Sequence, residues 1–136
     1  MTTKDSKAND EAKIRNLIES WAKAVRAENL KDVLANHSSK ILMFDLPGPT
    51  QLQGIDAYKE SWPPLFTWFQ GSGAFDLSEL NITAGTDVAF ATALIHCRGT
   101  EATGETVELE VRLTIGLRKI DGLWTVMHEH HSEPSR

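Results

Sequence analysis

The sequence predicts an α+β domain in which helices supplied by the first half of the chain cover one face of an antiparallel sheet built from the second half. Two observations carry this. Apolar residues recur at intervals of three and four over residues 9–27 and again over 54–69, whereas from Ala74 onward they alternate with polar residues and β-branched types take over. Helices first and strands afterwards is the order in which helices cover one face of an antiparallel sheet. At 136 residues the chain suits one domain with a core of its own. Residues 9–134 form that domain, and 1–8 and 135–136 are expected as flexible termini.

The first helix is expected from Asn9 to Ala27, with Ile14, Leu17, Ile18, Trp21, Ala24 and Val25 on one apolar stripe. Asn9 or Ser6 can cap its start, and Glu28-Asn29 marks its stop. Asn29 in turn caps a short second helix, Leu30 to Asn36, that buries Val33 and Leu34. Lys40 to Asp45 is a brief strand ended by the rigid turn Leu46-Pro47-Gly48-Pro49. A third helix spans Gly54 to Phe69, and Pro63-Pro64 must divide it in two. Strands then follow at Ala74 to Thr83, Val88 to Arg98, Thr106 to Lys119 and Leu123 to Ser132, as a meander. The turns between them are Ala84-Gly85-Thr86-Asp87, Gly99 to Gly104 and Asp121-Gly122, the last a strong hairpin signal.

Composition narrows the function classes. A net charge of -5 with the signs interspersed argues against a general nucleic-acid surface, which needs a basic stripe. No apolar run approaches the roughly 20 residues that span a bilayer, and the first fifteen residues are polar and charged, so no membrane and a cytoplasmic location are expected. The single cysteine, Cys97, sits in an apolar run and reads as a small buried side chain. His128 and His130 share a strand face and offer two ligands, but a third would have to come from His96 with no spacing rule behind it. No metal and no cofactor are expected. The aromatic group Trp62, Phe66, Trp68 and Phe69 is either core or a lid hinged at Pro63-Pro64, and His37 and His96 read as structural.

A two-residue turn at Asp121-Gly122 sets the faces of the last hairpin. Counting outward pairs Ile120 with Leu123, Gly116 with Met127, Thr114 with Glu129 and Arg112 with His131, and opposite residues share a face. One face then collects Arg112, Thr114, Gly116, Met127, Glu129 and His131; the other collects Val111, Leu113, Ile115, Leu117, Val126, His128 and His130. A cation, a carboxylate, a hydroxyl and an imidazole on one face suit a pocket lining, and the apolar face then suits a partner subunit. The opposite assignment, polar face to solvent and apolar face to the core, is equally open at this point. Which face the helices cover decides between them.

Three strings bring in a family: IRNLIESWAKAVRAENLKDVL, FDLPGPTQLQGIDAYKE, and RLTIGLRKIDGLWTVMHEHHSEP. Over about Asp10 to Pro134 the chain resembles the nuclear transport factor 2-like superfamily, in particular SnoaL-like and ketosteroid-isomerase-like proteins. Its ending, W-x-x-x-H-x-H-x-S, is also similar to the association domain of calcium/calmodulin-dependent kinases, a member that assembles rather than catalyses. The resemblance implies a cystatin-like α+β cone with an internal pocket. In ketosteroid isomerases an aspartate after the first strand shuttles a proton between two carbons, and Asp45 matches it. The other two roles, a tyrosine and an acidic donor that stabilise the dienolate, do not transfer: Trp21 stands in the place of the tyrosine with only an indole N–H, and Thr114 lies near that of the acidic donor with a weaker hydroxyl.

The expectations that follow concern Asp45 and His131 as catalytic residues, and Trp21, Arg112, Thr114, Met127 and Glu129 as ligand-binding ones. The ligand is a small hydrophobic ring compound with a carbonyl, bound by an isomerase- or cyclase-type enzyme in which Asp45 abstracts a proton. A non-catalytic ligand-binding or assembly module of the same fold is the alternative. A homodimer through the convex sheet face is expected in either case, with Leu113→Lys as its probe.

Overall fold

The computed structural model describes residues 3–46 and 48–135. Helix α1 runs Thr3–Arg26, six residues longer at its start than expected. No Gly or Pro interrupts residues 3–8, so the helix continues through them, and Ser6 and Asn9 lie inside it rather than capping it. Residues 3–8 are therefore helical rather than a loose terminus. The helix stops where Glu28 turns to a positive φ of 56° and the Asn29 N–H reaches back 2.9 Å to the Ala24 carbonyl. Asn29 then caps α2, Leu30–Val33, its side-chain oxygen accepting the Asp32 N–H at 3.3 Å. This helix is shorter than the pattern suggested, because Asn36, at φ 63°, turns the chain into a strand that starts three residues before Lys40.

That strand, β1, is His37–Phe44. The turn after it includes Pro47, which lies outside the described residues. A two-residue edge strand, β2 (Leu52–Gln53), follows and was too short to register in the sequence pattern. The helical stretch divides as the prolines require, into α3, Ile55–Glu60, and α4, Pro63–Phe69, with a proline in the first turn of α4 where no intrahelical N–H is needed. The meander is β3, Ala74–Ala84; β4, Val88–Thr100; β5, Thr106–Ile120; and β6, Leu123–Ser132. Asp121 and Gly122 both take positive φ, 51° and 81°, the type I′ turn that suits strand twist.

The six strands form one sheet in the order β2-β1-β6-β5-β4-β3. It is not wholly antiparallel: β1 lies parallel to β6, aligning Met43 with Glu129 and Phe44 with His130. Helix α1 crosses the concave face. Its Ile14, Ile18, Trp21 and Val25 are buried, while Arg15 and Arg26 donate to the carbonyls of Leu80 and Phe75 on β3 at 3.2 and 3.0 Å. Near its start Asp10 accepts the Trp124 indole N–H at 3.1 Å and pairs with Lys119, tying the helix to the β5–β6 hairpin. No helix among the described residues is long and apolar enough to cross a membrane.

The hairpin register keeps the expected pairs only as far as Leu117 and Val126. Met127 then has no partner, and Gly116 faces His128, Ile115 faces Glu129, Thr114 faces His130 and Leu113 faces His131. One extra residue on β6 makes a β-bulge, which moves every later side chain to the other face. The helices cover the apolar face of β5, so Val111, Leu113, Ile115 and Leu117 are core. Leu113 is thus not on the convex surface, and Leu113→Lys tests core packing rather than a dimer.

Candidate active site

A cavity of about 610 Å³ opens between the concave face of the sheet, the α3–α4 segment and the loop after β1. Most of its lining is apolar: Met43, Leu46, Leu52, Trp62, Leu65, Trp68, Phe75, Ile95, Cys97, Leu109 and Val111. The exposed members Pro49, Glu60, Pro64 and Glu101 mark its mouth, and the buried Met43, Trp62, Phe75 and Ile95 its floor. Trp68 reaches this wall because Gly99 on β4 has no side chain; a Cβ there would overlap the indole ring. Asp45 and His131 bring polar chemistry to this apolar space.

Two features of the sheet bring them together. Parallel pairing sets Phe44 beside His130, which leaves the next residues, Asp45 and His131, as neighbours. The bulge at Met127 then turns Glu129 and His131 inward. His131 Nδ1 lies 3.5 Å from Asp45 Oδ1, and its Nε2 lies 3.1 Å from Glu129 Oε1. Trp21 and Trp62 meet its ring edge-on, with centroids 6.3 and 6.2 Å away. Behind it, Glu129 is fully buried at 0% exposure. Its Oε2 is 2.7 Å from His37 Nε2 and accepts the Tyr58 hydroxyl at 2.8 Å. The Trp21 indole N–H donates to the same Tyr58 oxygen at 2.9 Å.

Electrostatics follow from this packing. Burial works against the Glu129 charge, but the hydrogen bonds and charges of His131 and His37 outweigh it and bring the carboxyl down to about 2. Burial also opposes the charged form of His131. Its hydrogen bond to Glu129, with the Glu129 and Asp45 charges, overcomes that and raises it above the ordinary imidazole value. Asp45 moves up from the usual carboxylate value, chiefly through burial, although the His131 charge and the Leu46 N–H pull the other way. Tyr58 is pushed well up by burial and by the Glu129 charge, and stays a neutral hydroxyl. The site therefore sets an imidazole whose charged form is favoured between two carboxylates, one locked and one facing the cavity. Asp45 Oδ1 accepts the Leu46 N–H at 2.8 Å, and the contact to His131 is too long for a hydrogen bond. A ligand oxygen has room to take the Nδ1–H.

Of the expected site residues, Asp45 and His131 meet at the cavity. The other five do not line it. Arg112 and Thr114 lie on the exposed outer face of β5, opposite its buried apolar set; Arg112 donates to the Ser132 hydroxyl at 3.1 Å and the Glu133 carbonyl at 3.3 Å. Met127 is the unpaired bulge residue. Trp21 is buried behind the lining with its only donor spent on Tyr58. Glu129 orients His131 instead of touching a ligand. Sequence reading missed Tyr58 and the contact of His37 with Glu129. Neither has a local signature, since the first depends on where α3 packs and the second on a parallel strand pairing. The outer face does gather His128 and His130, both packed against Phe44. There His96 is engaged by Glu110 at 3.0 Å, and no group of three metal-type ligands exists among the described residues.

The SnoaL-like domain model matches residues 14–135. No curated protein matches the sequence. Among solved structures, an NTF2-like protein of unknown function from Pseudomonas putida KT2440 is similar at 32% identity, with a TM-score of 0.84 over 95% of this chain and 89% of that one. Two more distant likenesses show the same fold. One is a putative dehydratase of the NTF2-like family from Streptomyces avermitilis (13% identity, TM-score 0.81, 95% and 99% covered). The other is a ketosteroid isomerase-like protein from Erwinia carotovora atroseptica SCRI1043 (20% identity, TM-score 0.77, 92% and 96% covered). With the domain model spanning nearly its whole length and a 32% identical relative superposing on 95% of it, the chain belongs to the SnoaL-like family of NTF2-like proteins.

Proposed function

We propose that this protein binds a small hydrophobic ring compound in the cavity and acts on it as an isomerase- or dehydratase-type enzyme. Asp45 removes a proton from carbon next to a carbonyl, the electron pair moves onto the carbonyl oxygen, and the His131 Nδ1–H supports the charge that develops there. Returning the proton to another carbon completes an isomerisation. Where a hydroxyl stands β to the carbonyl, its departure with a proton from His131 completes a dehydration.

The observation that carries this reading is His131 set between Asp45 and the buried Glu129, at the edge of an apolar cavity. Partial burial makes Asp45 a stronger base than a free carboxylate. A donor fixed in advance at the oxygen is worth about 3 to 4 kcal/mol in such chemistry. The names of the dehydratase and isomerase-like neighbours agree with both outcomes.

Solvent exchange tests the proposal directly. Ring ketones and β-hydroxy ketones incubated with the protein in D2O should take up deuterium at the α-carbon, and Asp45→Asn should lower that rate by a factor of about 100 or more. Equal exchange by both proteins, with a ligand still bound in native mass spectra, would leave a non-catalytic binding module. A second copy of the chain covering the outer sheet face belongs to the same proposal. Val88 and Phe90 expose 57% and 51% of their surface there, and Phe90→Lys should turn a sedimenting dimer into a monomer.

A further inference from the structure

The proposed chemistry uses Asp45 and His131 and leaves a second buried imidazole unexplained. His37 has a side chain only 1% exposed, and its Nε2 makes a 2.7 Å contact with Glu129 Oε2. Its Nδ1 lies 2.8 Å from the Ala35 carbonyl. Both ring nitrogens face acceptors, and such a ring satisfies both only when both carry protons. Glu129 is thus shared by two imidazoles, one on each oxygen, with Tyr58 closing the Oε2 side.

We infer that His37 is a positioning residue of the site: by holding Oε2 of Glu129 it fixes the carboxylate that orients His131 and takes up part of its hydrogen-bonding capacity. This rests on the proposed role of His131, but it concerns a residue that touches neither ligand nor cavity. The groups that face the pair are His131 and Asp45 on one side and His37 and Tyr58 on the other. A side chain at 37 that donates to Glu129 more weakly than the imidazole would leave more of the carboxylate's charge to His131. His131 then keeps its proton to higher pH.

His37→Gln tests this, because its amide can donate to Glu129 without a charge. The His131 ring titration, followed by NMR with no substrate present, should move up by roughly 0.5 to 1 pH unit. Exchange activity should stay within about 3-fold of wild type, and its alkaline limb should move by the same amount. His37→Ala, which removes the donor as well, should lower kcat about 10-fold with little change in KM. A purely structural role would lower activity without moving the His131 titration, so a titration unchanged within 0.2 unit in His37→Gln overturns the inference. Should that variant not fold, the wild type decides. Nitrogen NMR should show a proton on Nε2 of His37 hydrogen-bonded to Glu129, and an unprotonated Nε2 refutes the proposal. Because the two NMR readings need no turnover, they stand or fall separately from the enzyme reading.

Discussion

Replacing Glu129 by Gln keeps the shape of the cluster's central group and removes its charge. In the wild type the carboxyl falls from 4.5 to about 2, a preference for the charged form of roughly 3 kcal/mol. That agrees with the roughly 3 to 5 kcal/mol lost when one partner of a buried pair is removed. The sign fixes the pH window. A depressed carboxyl stabilises the fold above its ordinary value of 4.5 and loses that contribution as pH falls toward 2, by about 1.4 kcal/mol per unit. Urea denaturation should therefore find Glu129→Gln roughly 3 kcal/mol less stable at pH 6 and only about 1 kcal/mol less stable at pH 3. His131 acts in the opposite direction. Its raised value gives stability that is full below the ordinary 6.5 and is lost as pH rises through the folded value. The cluster stabilises most between about 4.5 and 6.5. A gap between the two proteins that stays constant from pH 6 to 3, or a variant within 0.5 kcal/mol of wild type at pH 6, would refute the reasoning.

Asp45→Asn should raise stability while abolishing exchange, since a carboxyl raised mainly by burial costs the fold above its ordinary 3.8. The expected gain shows at pH 7 as a rise in Tm that shrinks below pH 4. Gly99→Ala should drive Trp68 off the strand and cost about 1 to 3 kcal/mol, with an altered near-ultraviolet circular dichroism band.

Most of the fold was legible because the signals were local. The apolar stripe from Ile14 to Val25, the Pro63 break and the Asp121-Gly122 turn each specify their element without help from distant residues. The site was legible only in part. Asp45 follows a strand end, and His131 sits at a countable distance from the hairpin turn. The count itself passed through Met127, however, and a bulge has no strong local signature in TVMHE. Its presence separates the two strands' faces: Arg112 and Thr114 point outward because the helices cover the apolar face of β5, while the bulge turns Glu129 and His131 inward. Their inward position had been inferred for the wrong geometric reason. Tyr58 and His37 depend on contacts 71 and 92 residues away in sequence, beyond the reach of any local pattern.

A strand is read two residues at a time, like a text with a frame of two, and the bulge in β6 holds a spare letter. One residue between Val126 and Glu129 is surplus to the pairing. Losing it would leave Val126 and Glu129 facing in, whereas losing a residue at Glu129 or beyond would replace the acid and imidazole of the site with their outward neighbours. Comparison of this strand with its relatives should therefore treat a one-residue gap at 127 as harmless and the same gap at 129 as a change of chemistry. A relative without the bulge must either be a residue shorter here or carry its acid and imidazole one position earlier.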